Sequence, residues 1–530
     1  IPRNIDLVKQ LISEGKKVIA ISDMYHSRKT IKRMLLAADS VFENVDVYVS
    51  SEYSMTKGTG NLYRKVREIE GSGFEQWQHI GDNKKGDYEL AKNFGITAEL
   101  YPISWRTRFE EFILNEELND SFVQQQVAFA KNTRIKYNLR KVQAIGADLA
   151  TFLLIPYVEF IIDNCMKRNI KRLYFISRDG YVLKEIADII IKEKNLNIVT
   201  KYIFSSRRAW RVFPQAIEDI DLVTLISYSN FNFIKTYDDL ADAFMITKEE
   251  LCSYIDKKED IDFINPIELY NLVKDLNQNY EFKNFIIKNN NKKRELLEGY
   301  IKQEVDMTDE HYAFVELDGS GYTNYIMSKV MYAKQYIHAP IKTFYYWATD
   351  VNLASKELEF ISFFPSKIAV GNILECLCRA PHSQVVEYEK TDNIYKPVFE
   401  DSNEEELLLA AGYQDYLYGV VCAAKLYQYG LVKNTLKVVK KAFEYITKRP
   451  DEEVLTFLGD IPFSITGRNG KISTFAPALT RTDIFNVYFL RYIANEPIEK
   501  YFEAPYFDYC LLRLSNEDKR LFKCYEMKVN

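Results

Sequence analysis

Short apolar runs alternate with amphipathic stretches along the first hundred residues. Residues 16–24, KKVIAISDM, form a β-branched run that ends in polar residues and predict a buried parallel strand. Thr30 to Ala38 has helical spacing. Val45 to Ser50 predicts a second strand, and Gly60 to Ile69 a helix. Trp77 to Ile80 predicts a third strand running into GDN. Tyr88 to Phe94 predicts a helix, and Ala98 to Tyr101 a further strand. This alternation predicts an α/β fold with a doubly wound sheet, whose ligands sit at the carboxyl ends of the strands.

A second α/β pattern starts near residue 150. Ile155 to Cys165 is helical in period. Arg172 to Ile176 predicts a strand, Ser177 to Gly180 (SRDG) a tight loop, and the apolar positions Val182, Leu183, Ile186, Ile189 and Ile190 a helix. Thr200 to Phe204 predicts a strand ending in SSRRAWR. Tyr312 to Leu317 predicts one that enters DGSGYTNYI, and residues 341–350 predict another. From Glu404 onward the pattern is helical. The organisation expected is an α/β domain over 1–105, a helical linker over 106–148, a second α/β domain over 149–400 and a mostly helical region over 401–530.

Composition narrows the function classes. Of 530 residues, 47% are hydrophobic and 27% charged, as in packed globular proteins. The formal net charge of −5 argues against a protein that coats nucleic acid. The 7 cysteines are scattered and odd in number, which predicts a reducing compartment without a disulfide framework. The longest apolar stretch, Leu149 to Ile162, is interrupted by Pro156 and Glu159. It falls short of the roughly 18 residues a spanning helix needs. A cytoplasmic protein is expected, and peripheral contact with the inner face of a membrane is compatible with this.

Candidate chemistry gathers at predicted strand ends. In the first domain these are Ser22, Lys57, Asp82 and Asp87. A hydroxyl and an ammonium suit phosphate oxygens, and two spaced carboxylates suit magnesium, a hard cation. In the second domain, Ser177, Arg178, Asp179 and Gly180 form a strand–loop–helix turn of the kind that holds anions. Arg207 and Arg208 add cationic forks. Gly319, Ser320, Gly321 and Thr323 form another turn beside the carboxylates of Glu316 and Asp318. Cys376, Cys378 and His382 make a poor metal set, because zinc usually takes four ligands. The cysteines read more simply as core. Glu375 and His382 are candidates for an acceptor base or acceptor contact.

The first set resembles the haloacid dehalogenase superfamily of phosphatases. Ser22 in SDMY looks like its second motif, Lys57 in MTKGTG its third, and Asp82 and Asp87 in HIGDNKKGD its fourth. The family's first motif, which carries the nucleophilic Asp on the central strand, has no counterpart in residues 1–21. The sheet is therefore expected to have a gap, filled by an upstream segment or by another element. LYFISRDGYVLKEIA and FVELDGSGYT resemble the pyrophosphate and 5-phosphate loops of the phosphoribosyltransferase fold. The usual pair of acids is broken, with Val315 beside Glu316.

The pair of domains is similar to bacterial proteins that add ribofuranose to surface polysaccharides. That resemblance implies transfer of 5-phosphoribosyl from phosphoribosyl pyrophosphate, with magnesium, to a glycan or lipid-linked glycan acceptor. The phosphatase domain would then remove the 5-phosphate. Glu316 and Asp318 would be catalytic in the transfer, and Ser22 and Lys57 in the phosphatase step. Two other readings stand beside it. A nucleotide-sugar glycosyltransferase would use the DxD runs at Asp219–Asp221 or Asp260–Asp262, although both lie in acidic, solvated stretches. A non-catalytic scaffold in polysaccharide assembly would tolerate the missing nucleophile.

Overall fold

The structure is a computed structural model. It describes all residues except 1, 102–104, 116–119, 213–220, 224–225, 227–233, 256–264, 320, 334, 338–339, 349–357, 365–370, 428–434, 465–471, 489–506 and 528–530. The chain divides into two compact units, Ile1–Glu116 with Val127–Arg140, and Glu117–Gln126 with Lys141–Asn530. Part of the segment expected as a linker therefore packs with the first unit. Arg134 shows why, because its guanidinium reaches both oxygens of the buried Glu110 at 3.0 Å and the Trp105 carbonyl at 2.5 Å. An ion pair out of water holds only with such complete pairing.

In the first unit, β1 (Ile19–Ser22) pairs in parallel with β2 (Asp46–Val49), and β3 (Gln78–Gly81) with β4 (Thr97–Leu100). These are two separate two-stranded ladders, in keeping with the gap expected of a sheet that lacks its first-motif strand. Among the described residues, β1 and β3 each have a strand on one side only. The ladders nevertheless belong to one unit, since Ile21 of β1 and Trp77 beside β3 pack on the same apolar clusters.

The second unit is built on a five-stranded parallel sheet. Its strands are β5 (Arg172–Ile176), β6 (Val199–Ile203), β7 (Tyr312–Gly319), β8 (Ile341–Ala348) and β9 (Leu358–Phe364), in the order β6-β5-β7-β8-β9. Phe175, Phe314, Val315 and Phe344 are fully buried, as expected of strands covered on both faces. The strand order reverses between β5 and β7, so the crevice at their carboxyl ends is the switch point of the sheet.

The long apolar stretch is part of a continuous helical run, Val142–Arg168, of 27 residues. By length and composition it could cross a membrane, which the shorter run in the sequence did not suggest. Of its most apolar window, 94% is buried inside the fold, so it has protein on all sides. The first part, Val142–Leu149, crosses the Tyr413–Leu426 helix almost backbone to backbone. A Cβ at Gly146 would stand 2.1 Å from the Tyr416 carbonyl oxygen, and one at Gly419 2.0 Å from that of Gln143.

A hairpin of β10 (Val385–Thr391) and β11 (Ile394–Phe399) follows the sheet. Its turn places Asp392 and Asn393 at φ of 51° and 63°. The described part of 401–530 is mostly helical, as expected, with one short pair, β12 (Pro462–Ser464) and β13 (Ile472–Thr474).

Candidate functional sites

In the first unit, a charged cluster forms at the ends of β1 and β3. Asp23 accepts the Lys57 backbone N–H at 2.8 Å and fixes the turn after β2. That turn delivers the Lys57 ammonium to Asp87 at 2.5 Å, with both side chains buried. Asp87 sits on a π-helical turn, Lys84–Glu89, whose start is capped by Asn83. Its Oδ1 also meets His79 Nε2 at 3.1 Å, and its Oδ2 accepts the Asn83 N–H at 3.0 Å. Burial opposes the charge, but His79, Lys57 and the Asn83 N–H together hold the Asp87 carboxyl well below the usual carboxylate range.

Lys57 and Asp87 are thus brought together as expected, but as partners of each other. Asp82 is exposed, and its carbonyl accepts the Trp105 indole N–H at 2.7 Å. Ser22 is half-buried at the end of β1. The magnesium expected at Asp82 and Asp87 would have to share Asp87 with donors that already engage both of its oxygens. No three His, Cys, Asp or Glu side chains close enough to hold a metal ion occur among the described residues.

In the second unit, the SRDG loop and the end of β7, Asp318 and Gly319, stand on neighbouring strands at the switch point. Gly180 opens the helix after β5 because a Cβ there would stand 2.8 Å from the Phe175 carbonyl carbon. Gly321, at φ 72°, is held close to the Phe360 ring. The loop after β5 includes a cis peptide bond between Ser177 and Arg178. Asp179 follows, and the charges of Glu375 and Asp318 act on it. Burial first, then these two carboxylates, hold Asp179 well above the usual range, against the pull of Arg178 and Arg379.

Glu316 lies on β7, two residues before Asp318. Burial pushes its carboxyl up to about 7, against hydrogen bonds with Tyr345 and Asn324 and the charge of Arg207. Its own carbonyl accepts the Tyr157 hydroxyl at 2.7 Å. A carboxyl poised near neutrality suits proton transfer.

Several expected roles are corrected. Arg178 is not an open fork, since its Nη1 binds both Glu404 oxygens at 2.7 and 2.8 Å. Ser177 ties β5 to β6, donating to the Ser205 carbonyl at 2.6 Å and accepting the Ser205 N–H at 2.9 Å. Arg208 pairs with Asp242 at 3.1 Å and Glu400 at 3.5 Å. Arg207 stays exposed. His382 has both ring nitrogens engaged, Nε2 with the Tyr202 hydroxyl and Nδ1 with the Ser383 carbonyl, each at 2.8 Å. With both nitrogens taken up by neighbours it serves as a strut in this structure, and burial lowers its pKa.

Ser320 lies outside the described residues, as do Asp219, Asp260 and Asp262. Gly319 and Gly321 are placed, and Thr323 falls in the Tyr322–Ala333 helix. Asp221 caps the Val223 N–H at 3.2 Å, as a solvated acid does. Cys376 and Cys378 are fully buried and burial pushes both thiols up, which fits core packing.

Two residues of this site were not singled out in the sequence. Glu404 heads the Glu404–Ala410 helix, 226 positions from its partner Arg178. Arg379 follows the Gly371–Leu377 helix, is 3% exposed and ion-pairs with the same carboxylate. Nothing local marks either residue. Leu407, Ala410 and Ala411, on and just after the 404–410 helix, also line a cavity of about 760 Å³ together with Glu452, Phe457 and Asp460.

No family model matches the chain, and no curated protein matches it in sequence.

Proposed function

We propose that the second unit is a glycosyl transferase that takes 5-phosphoribosyl from phosphoribosyl pyrophosphate and passes it to a glycan hydroxyl. The observation that carries this reading is that SRDG and the Asp318–Gly319 end of β7 lie on neighbouring strands at the switch point of a parallel sheet, where α/β folds bind their ligands. Backbone N–H groups of the two glycine turns and the nearby arginines would hold phosphate oxygens. The surplus of carboxylates suits the electron-poor sugar carbon left as pyrophosphate departs. Glu316, poised near 7, would take the proton of the attacking hydroxyl.

Magnesium would arrive on the pyrophosphate rather than in a protein cage. The cavity beside the 404–410 helix is of a size usual for small-molecule sites. Its carboxylates would accept hydroxyls of a glycan or lipid-linked glycan acceptor. The first unit would serve the following phosphatase step. That step needs a nucleophilic carboxylate, which a strand lying against the open edges of β1 and β3 would supply.

The test is calorimetric titration of the intact chain with phosphoribosyl pyrophosphate, with and without magnesium. Magnesium-dependent binding that weakens at least tenfold in Asp318→Asn is expected. An intact fold that ignores the ligand would sink the donor assignment and turn attention to a nucleotide sugar.

A further inference from the structure

Arg178 and Arg379 share one carboxylate. Arg178 Nη1 lies 2.7 Å from Glu404 Oε1, and Arg379 Nη2 pairs with the same oxygen. Glu404 is 4% exposed, so this contact is shielded from water. Two guanidinium groups present up to ten N–H donors, whereas one carboxylate offers two oxygens. The mismatch shows at Arg379, whose Nε and Nη2 are both buried without a hydrogen-bond partner among the described residues, Nη2 meeting Glu404 as an ion pair only. A buried donor left unsatisfied costs about 1–3 kcal/mol. Asp179 and Glu375 bear on both arginines as charges.

Arg379 is firmly held. Its carbonyl accepts the Tyr413 hydroxyl at 3.0 Å, and the Leu377 carbonyl accepts those of Tyr413 and Tyr416 at 3.1 and 3.0 Å. The Phe463 ring lies 5.7 Å from its guanidinium carbon. The backbone that carries Arg379 is thus fixed by the scaffold. Glu404 stands in the first turn of a seven-residue helix, just after the exposed Asp401 and Asn403.

We infer that Arg178 and Arg379 form a two-armed oxyanion site, that Glu404 occupies it in the free protein as a built-in substitute anion, and that a phosphoryl or pyrophosphate group binds by displacing this carboxylate. A phosphoryl group brings three oxygens and more charge, so it satisfies donors that Glu404 leaves bare. The identity of the incoming group as part of a sugar donor rests on the function proposed above. The displacement itself does not.

The experiment is calorimetry of the full chain with inorganic pyrophosphate, on the wild type, Glu404→Gln and Arg379→Met, each checked for its fold by circular dichroism. Glu404→Gln should bind at least tenfold tighter than the wild type, and Arg379→Met at least tenfold weaker. A folded Glu404→Gln that binds no tighter overturns the inference, as does a set of folded proteins that all ignore pyrophosphate. Where the variants fail to fold, hydrogen exchange of wild-type residues 400–410 decides. Exchange should quicken at saturating pyrophosphate, and unchanged exchange overturns the inference. The two readings fail separately. Tighter pyrophosphate binding by Glu404→Gln without any binding of phosphoribosyl pyrophosphate removes only the donor. Tight phosphoribosyl pyrophosphate binding indifferent to Glu404 removes only the displacement.

Discussion

The two charged clusters resolve the same problem in opposite ways. In the first unit, Asp87 meets Lys57 and His79, and its acidity is strengthened. In the second, Asp179 faces Glu375 and Asp318, and its acidity is weakened. The first arrangement is settled, because adding a ligand would have to break contacts that already satisfy each group. The second is charge-frustrated, which is the condition in which a ligand gains most by binding. Both clusters stand at strand ends that the sequence marks, and the geometry separates them.

The largest effect that could break this comparison is expected at Lys57. Replacing it with methionine leaves Asp87 buried without its cation and should cost about 3–5 kcal/mol, read from urea unfolding of the full chain. A loss below about 1 kcal/mol would place the pair in the class of exposed salt bridges, and the contrast would fall.

Opposite pH dependence comes next. Asp87 is held low, so its stabilisation is present above the usual carboxylate pKa and is lost as pH falls through and below it. Glu316 is held high, at about 7. The folded state therefore binds its proton more tightly than the unfolded chain does. Its contribution is most favourable below about 4.5 and declines as pH rises through 7. Glu316→Gln should flatten the stability curve between these limits by a few kcal/mol, and Asp87→Asn should not. Parallel curves for the two variants would erase the distinction.

The smallest effect concerns the His382 strut. Tyr202→Phe removes the hydrogen bond to His382 and should cost about 1 kcal/mol. His382 should show no ionisation near its ordinary value by NMR. A normal titration there would return it to the set of proton-transfer candidates.

Much of the frame was legible in the sequence. β5 coincides with the strand expected at Arg172–Ile176, because a buried parallel strand is apolar throughout and carries its own boundaries. The loops SRDG and DGSG were found because glycines must stand where a Cβ collides. The hairpin at β10 and β11 was missed, although its Asp392–Asn393 pair between alternating residues is a turn signal. Arg379 and Glu404 were missed for a different reason. Their meaning lies in contacts with distant parts of the chain, and each sits in a stretch that locally reads as an ordinary helix or its end. The break between the two ladders of the first unit was legible, since the absence of the first motif removes a strand from the sheet.

The crossing at Gly146 and Gly419 has one further consequence. It works as a mechanical datum, a surface from which other positions are measured. The Tyr413–Leu426 helix is seated against it with no side chain between. From that helix the hydroxyls of Tyr413 and Tyr416 reach the carbonyls of Leu377 and Arg379, like two fixed-length rods. A methyl group at either glycine would therefore leave every polar residue of the recess in place in the sequence, yet lift the rods and shift the arginine they locate. Tolerance at this recess is set partly by two residues that carry no chemistry at all.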